Sequence, residues 1–78
     1  MQVSACIRAM VRDRGASMAE VSREIGRSAK YVGVISAPDR SPALATVAEI
    51  ADALGYDVAI IVRVSGERLG TIDPPARD

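Results

Sequence analysis

The chain of 78 residues has the length of one small domain, and 49% hydrophobic residues make it apolar enough to fold. One cysteine and no histidine exclude an internal disulfide and leave a zinc site without its usual ligands. The net charge is zero, but residues 1–42 carry seven basic and four acidic residues (+3), whereas residues 43–78 carry three basic and six acidic residues (−3). This asymmetry suggests that the basic half carries the function and that the second half is acidic.

Two helices are predicted in the first third of the chain. The first, at about 3–14, follows from apolar residues at helical spacing with arginines between them. The second, at 17–25, begins with the capping box "SMAE", in which Ser17 and Glu20 each bond the backbone of the other. Gly26 supplies a left-handed stop for this second helix.

The next stretch, "SAKYVGVISA" at 28–37, contains β-branched and aromatic residues that are typical of strands, but its boundaries are typical of a helix. Ser28 is a good N-cap, and Pro38 prevents a helix from continuing. Val32 and Ile35 are three residues apart and face inward together if the stretch is helical, whereas a strand would leave neither face polar. The boundaries favour a third helix at 28–37.

A fourth helix and a β segment complete the chain. "SPAL" predicts a helix at 42–54 with Ser41 as its cap, and this helix buries a stripe that includes Leu44. "DVAIIVRV" is dense in β-branched residues and predicts a strand at 58–64, with a second strand at 68–72 left open. The polar, proline-rich residues 73–78 are expected to form a flexible tail.

The predicted fold class is therefore mainly α, with four helices in residues 1–55 and a strand or hairpin in residues 56–72. Only "GR" separates the second helix from Ser28, so these two helices form a predicted helix-turn-helix. Val21 and Val32 are its expected apolar anchors.

Residues 18–55, "MAEVSREIGRSAKYVGVISAPDRSPALATVAEIADALG", resemble the Cro/CI-type helix-turn-helix family, also called XRE or phage-repressor-like. The shared features are the "AEV" opening, the Gly26 turn, the spacing of Val32 and Ile35, "RSPAL" and the ending "IADALG". The resemblance implies a lambda-repressor-like DNA-binding domain. Because a strand follows "ALG" where most members continue with a fifth helix, the layout is most similar to the HipB-type antitoxin branch, whose members dimerise through a C-terminal strand.

The resemblance implies DNA-contacting residues at specific positions of this chain. The base-reading positions correspond to Ala29, Lys30, Gly33 and Val34, with Tyr31 near the DNA backbone. Further contacts are expected from residues at the helix starts and in the flanking turns: Ser17, Met18, Arg27, Ser28 and Arg40. Met18 stands where the family often has glutamine, and Pro38 where it usually has glycine.

The dimer interface is expected on the predicted strand, at Val58, Ile60, Ile61, Val62 and Val64. The resemblance implies that the helix at 28–37 is the recognition helix, which inserts in the major groove. A second copy would pair with the exposed strand edge, and the two recognition helices would then lie about one turn of DNA apart. The partners implied are double-stranded DNA and a second copy of the chain, with no cofactor, metal or membrane. The first ten residues do not form a signal peptide, and a cytoplasmic protein is expected.

The sequence thus predicts a homodimeric, sequence-specific DNA-binding regulator that acts as a repressor. One alternative is an antitoxin that sequesters a cognate toxin protein through its acidic half. Another is a degenerate helix-turn-helix kept only as a dimerisation module, since few side chains in 29–34 are polar. An enzyme is not expected, because no histidine is present and the carboxylates are scattered.

Overall fold

The computed structural model of the protein describes residues 1–76, which contain four helices followed by an antiparallel pair of strands. The elements are α1 (Val3–Asp13), α2 (Met18–Glu24), α3 (Tyr31–Ile35), α4 (Leu44–Leu54), β1 (Val58–Ile61) and β2 (Arg68–Ile72). The mainly helical class with a C-terminal hairpin is confirmed, including the strand at 68–72 that the sequence left open. Of the expected flexible tail at 73–78, residues 73–76 are exposed and irregular, and the last two lie outside the described residues.

The core is aliphatic and draws on all four helices and on the turn after α2. Its fully buried centre consists of Ile7 from α1, Val21 from α2, Val32 from α3 and Ile50 from α4. The other buried members of the cluster are Val11, Ile25, Val47 and Leu54. No helix within residues 1–76 combines the length and the apolar character that crossing a membrane would require.

The capping box at the start of α2 is formed as predicted. The Glu20 N–H donates to Ser17 Oγ at 3.0 Å, and the Ser17 N–H donates to Glu20 Oε1 at 3.3 Å. Gly26 follows the helix with a φ of +77°, a left-handed conformation that glycine adopts without steric cost. The predicted range 17–25 therefore corresponds to the helix Met18–Glu24 with one capping residue at each end.

The predicted third helix at 28–37 is correct in type but too long. Only Tyr31–Ile35 is α-helical, and Ser28 is not its N-cap. Lys30 occupies the cap position without a side-chain hydrogen bond, while the Ser28 carbonyl accepts from the Tyr31 N–H at 3.0 Å in a preceding turn. A segment of β-branched residues around Gly33 has low helix propensity, so it does not extend beyond the turns that packing stabilises.

The fourth helix also starts later than predicted. Ala43 is its N-cap, with extended φ and ψ of −62° and 149°, so Ser41 does not cap the helix and Pro42 precedes it. Leu44 then lies at the very start of α4 and is 51% exposed rather than part of the buried stripe. Gly55 ends the helix with a φ of +87°, as expected for a left-handed C-terminal residue.

The hairpin pairs β1 with β2 in an antiparallel register in which Val58 lies opposite Ile72 and Ile60 opposite Gly70. The register shifts between Ile60 and Ile61, where β2 accommodates an additional residue. The predicted strand at 58–64 ends at Ile61, because the chain turns at 63–65 and returns. The hairpin joins the helices through Val58, which packs against the core cluster.

Candidate nucleic-acid interface

The candidate interface is built on the packing of α3 against α2. Val21 and Val32, the two predicted anchors, are both fully buried. The two helices are connected by residues 25–30, a longer connection than the "GR" junction predicted, because α3 begins only at Tyr31. The pairing of the two helices is therefore as expected, but the turn between them is not.

A buried serine links the start of α3 to α2. Ser22 Oγ accepts a hydrogen bond from the Val32 N–H at 2.9 Å and donates one to the Met18 carbonyl at 2.7 Å. Ser22 lies on the inner face of α2, four residues after Met18, and is fully buried. A hydroxyl on an otherwise apolar helix face was the signal that could have revealed this bond, since a buried polar group requires a partner.

The end of α3 is held from the opposite side by α1. The Arg8 guanidinium donates to the carbonyl of Ser36, the C-cap residue of α3. Arg8 is half-buried, and no role was predicted for it from the sequence. Ser36 is itself buried, and its hydroxyl lies 3.5 Å from the Gly33 carbonyl oxygen and 3.8 Å from Met18 Sδ.

None of the ten residues assigned to DNA contact is buried. Seven are exposed: Ser17, Arg27, Ser28, Lys30, Gly33, Val34 and Arg40. Three are half-buried: Met18, Ala29 and Tyr31. The face of α3 that carries Gly33 and Val34 is thus exposed to solvent. It has no hydrogen-bonding side chain at these two positions, since neither residue offers a side-chain donor or acceptor.

Arg27 is the cation with the most structured surroundings at this face. Its guanidinium carbon lies 5.0 Å from the centroid of the Tyr31 ring, within the range of a cation–π contact. One of its terminal nitrogens lies 3.9 Å from a carboxylate oxygen of Glu49 on α4. The sequence did not single out Glu49, because nothing in the order of residues indicates that α4 reaches this turn.

The remaining predicted contact residues lie on either side of α3. Ser17 uses its hydroxyl in the capping box, and Met18 packs its side chain against the core. Arg40 is exposed in the loop after α3 and lines a shallow groove of about 230 Å³ with Ile35, Ser41 and Pro42.

The five predicted dimer-interface residues divide between the core and the surface. Val58 packs inward, whereas the other four are exposed: Ile60, Ile61, Val62 and Val64. The structure adds Leu69 of β2, which is 74% exposed and was not predicted. Because both strands of a two-stranded sheet have one unpaired edge, this apolar hairpin surface also presents free backbone donors and acceptors.

Comparison of the chain with protein-family models, with characterised proteins and with solved structures finds no match.

Proposed function

We propose that the protein is a homodimeric, sequence-specific DNA-binding regulator that acts as a repressor. In this proposal α2 and α3 are the helix-turn-helix of a lambda-repressor-like domain, and α3 enters the major groove. The observation that carries it is that α3 is tied at both ends by other helices while its outer face is left open. Ser22 holds its first turn and Arg8 holds its last.

The chemistry of this outer face suits a major groove with few polar contacts. Lys30 is the strongest directional donor and matches the acceptors O6 and N7 of guanine. Ala29 and Val34 suit the methyl group of thymine. The smooth surface at Gly33 allows the helix backbone to come close to the base edges.

Phosphate contacts would position the helix on the duplex. The side chains proposed for this role flank α3: Ser17, Arg27, Ser28, Tyr31 and Arg40, together with the backbone N–H of Met18. Binding through such contacts weakens as salt rises, because each neutralised phosphate releases counterions. The chain has no net charge, but residues 1–42 carry a net charge of +3 and supply the attraction, whereas the acidic half is residues 43–78.

The apolar hairpin surface is the proposed dimer interface. Pairing of two hairpins about a two-fold axis would cover Ile60, Ile61 and Leu69 and satisfy unpaired strand edges. Such a dimer would present two copies of α3 to successive turns of DNA and predicts an operator with two related half-sites.

The DNA-binding proposal is tested by selection of bound duplexes from a random pool, followed by fluorescence anisotropy on the selected sequence. Lys30→Ala and Arg27→Ala should each weaken binding, and the effect of Lys30→Ala should depend on the base sequence. Arg63→Ala, which removes the same charge from the exposed hairpin turn, is the matched control and should bind like the wild type. Absence of binding to every duplex at low salt would refute the proposal.

The oligomeric state is tested separately by light scattering at micromolar concentration. The wild type should have twice the mass of the 8.2 kDa chain. Ile61→Lys and Leu69→Lys should each produce monomers, whereas Val34→Lys, which charges an equally exposed apolar position on α3, should remain dimeric. A monomeric wild type would contradict the proposed interface.

A second candidate function is that of an antitoxin that sequesters a toxin protein. The observation that favours it is the exposed apolar hairpin in the half of the chain with net charge −3. Co-expression with the adjacent reading frame distinguishes the two functions, since growth rescue and co-purification are required only of an antitoxin. A dimer that binds no duplex and no neighbouring product would instead fit a degenerate helix-turn-helix kept for dimerisation.

A further inference from the structure

Arg27 lies between an aromatic ring and a carboxylate at the edge of the candidate interface. The Tyr31 ring centroid is 5.0 Å from its guanidinium carbon, and Glu49 Oε1 is 3.9 Å from its Nη2. The side chain of Arg27 is 50% exposed, whereas that of Glu49 is only 12% exposed. The cation is thus open to solvent, and its anionic partner is fixed on α4.

We infer that Glu49 attenuates DNA binding by competing with a DNA phosphate for Arg27. This inference rests on the proposed DNA-binding function and identifies a residue that lowers the affinity of that site. Glu49 does not touch DNA in this scheme. It acts through Arg27, and its carboxylate lowers the charge that the flank of α3 offers to a phosphate.

The charge balance around α3 gives Glu49 its influence. Residues 25–40 contain three cations, Arg27, Lys30 and Arg40, and one anion, Asp39, so the net charge is only +2 and a further carboxylate beside Arg27 cancels a large share of it.

The geometry of the ion pair allows a phosphate to replace the carboxylate. A separation of 3.9 Å is longer than a hydrogen bond, so Glu49 attracts Arg27 by charge without a directional contact. A phosphate presents two oxygens to the guanidinium and accepts two parallel N–H···O bonds. Exchange of partners is thus favourable for Arg27, but it leaves the carboxylate of Glu49 without its cation.

Loss of the Glu49 carboxylate would not leave Arg27 without orientation. A cation–π contact at an exposed site stabilises an arrangement about as strongly as a surface ion pair does. Tyr31 therefore keeps the guanidinium beside α3 when Glu49 is neutral. Of the two effects of Glu49, orientation of Arg27 and competition for it, competition is the larger.

The test is anisotropy of the full chain on the duplex obtained by selection, with Glu49→Gln as the variant. Its dissociation constant should fall about two- to fivefold, the range expected for a surface ion pair. The slope of log K against log salt should steepen by up to about 0.9, the value for one added phosphate contact. Glu49→Ala should behave in the same way, whereas Glu49→Asp retains the charge and should stay close to the wild type.

The matched control is Asp52→Asn, which removes one negative charge from the same helix. Asp52 lines a different groove with Tyr56 and Asp13, so its neutralisation should leave the salt slope unchanged. In an Arg27→Gln background, Glu49→Gln should no longer tighten binding, because the competition acts through Arg27. If Glu49 acted only through the overall charge of the protein, Glu49→Gln would tighten binding equally in the Arg27→Gln background, and Asp52→Asn would tighten it as well. Either result would overturn the inference.

The outcomes separate this inference from the proposed function. A wild-type chain that binds no duplex refutes the function, and the inference with it. A wild-type chain that binds DNA, with Glu49→Gln equal to it or weaker, refutes only the competition at Arg27. Circular dichroism of each variant establishes that the fold is retained, and the isosteric glutamine is chosen for that reason.

Discussion

The hydroxyl of Ser22 accepts a hydrogen bond from the N–H of Val32, so that a side chain of α2 caps the first turn of α3. The N–H groups in the first turn of any helix lack partners within the helix. In most helices a nearby serine, threonine or aspartate supplies the acceptor. Here the acceptor lies ten residues earlier in the chain and is fully buried, which also fixes the distance between the two helices.

Replacement of Ser22 should therefore destabilise the protein markedly. Ser22→Ala leaves the buried Val32 N–H without a partner, and we expect the free energy of unfolding to fall by about 1–3 kcal/mol. Ser28→Ala is the matched control, since Ser28 is exposed and does not cap α3, and should change it by less than about 0.5 kcal/mol. Urea denaturation measures both, and equal effects of the two substitutions would contradict the remote cap.

The bond from Arg8 to the Ser36 carbonyl leads to a second prediction. Arg8→Met keeps the aliphatic part of the side chain but removes the charged donor, so unfolding should become easier by about 1.5–3 kcal/mol. Arg12→Met, an exposed position of the same helix, should have little effect. Thermal melting compares the two variants. Amide hydrogen exchange should in addition show faster exchange in α3 for Arg8→Met alone.

The capping box of α2 is predicted to contribute to the free energy of unfolding, whereas Ser41, which the sequence suggested as the cap of α4, is not. Ser17→Ala removes the acceptor for the Glu20 N–H and should lower the free energy of unfolding by about 0.5–2 kcal/mol. Ser41→Ala should be nearly neutral, because α4 is capped at Ala43 and not at Ser41. Chemical denaturation of the two variants side by side is sufficient, and a larger loss for Ser41→Ala would be inconsistent with the observed start of α4.

Stability at high pH should depend on Tyr56. Its hydroxyl donates to the carboxylate of Asp13, and this hydrogen bond, followed by partial burial and the negative charge of Asp13, raises the pKa of Tyr56 above its ordinary value. A raised folded-state pKa means that the stabilisation is complete below about pH 10, where tyrosine is neutral in the unfolded chain, and is lost as pH rises through the folded-state value.

Two measurements check this pH dependence. Melting of the wild type and of Tyr56→Phe between pH 8 and pH 12 should show a stability difference that shrinks above about pH 10. Titration of tyrosinate absorbance in a Tyr31→Phe background reports Tyr56 alone, and Asp13→Asn should move its pKa back toward the ordinary value. A stability difference that grows with pH would have the wrong sign for a hydrogen bond that neutral Tyr56 donates to Asp13.

The elements with local signals were predictable from the sequence. The capping box at Ser17 and the left-handed glycines at positions 26 and 55 depend on neighbouring residues only, and they place the ends of α2 and the end of α4 within one or two residues. The first strand was recognisable because β-branched residues are concentrated at 58–64, whereas the second strand at 68–72, with fewer of them, was left open. Only the end of the first strand was misplaced.

The contacts between distant segments were not predicted from the sequence, although the hydroxyl of Ser22 on an apolar helix face was a signal for one of them. The start of α3 depends on Ser22 and its end on Arg8, and neither pairing leaves a trace in residues 28–37. The pair formed by Arg27 and Glu49 likewise requires α4 to reach the turn after α2. Leu44 was assigned to the core because its spacing matches the stripe of α4, but the late start of that helix leaves it exposed.

The support of α3 from outside has a consequence for protein engineering. Residues 31–35 contribute little to their own helicity, since the capping groups belong to α2 and α1 and the only fully buried side chain is that of Val32. Positions 29, 30, 33 and 34 are therefore free to vary without loss of the fold. A library randomised at these four positions should yield mostly folded proteins. The outer surface of α3 can then be redesigned while α1 and α2 hold its position.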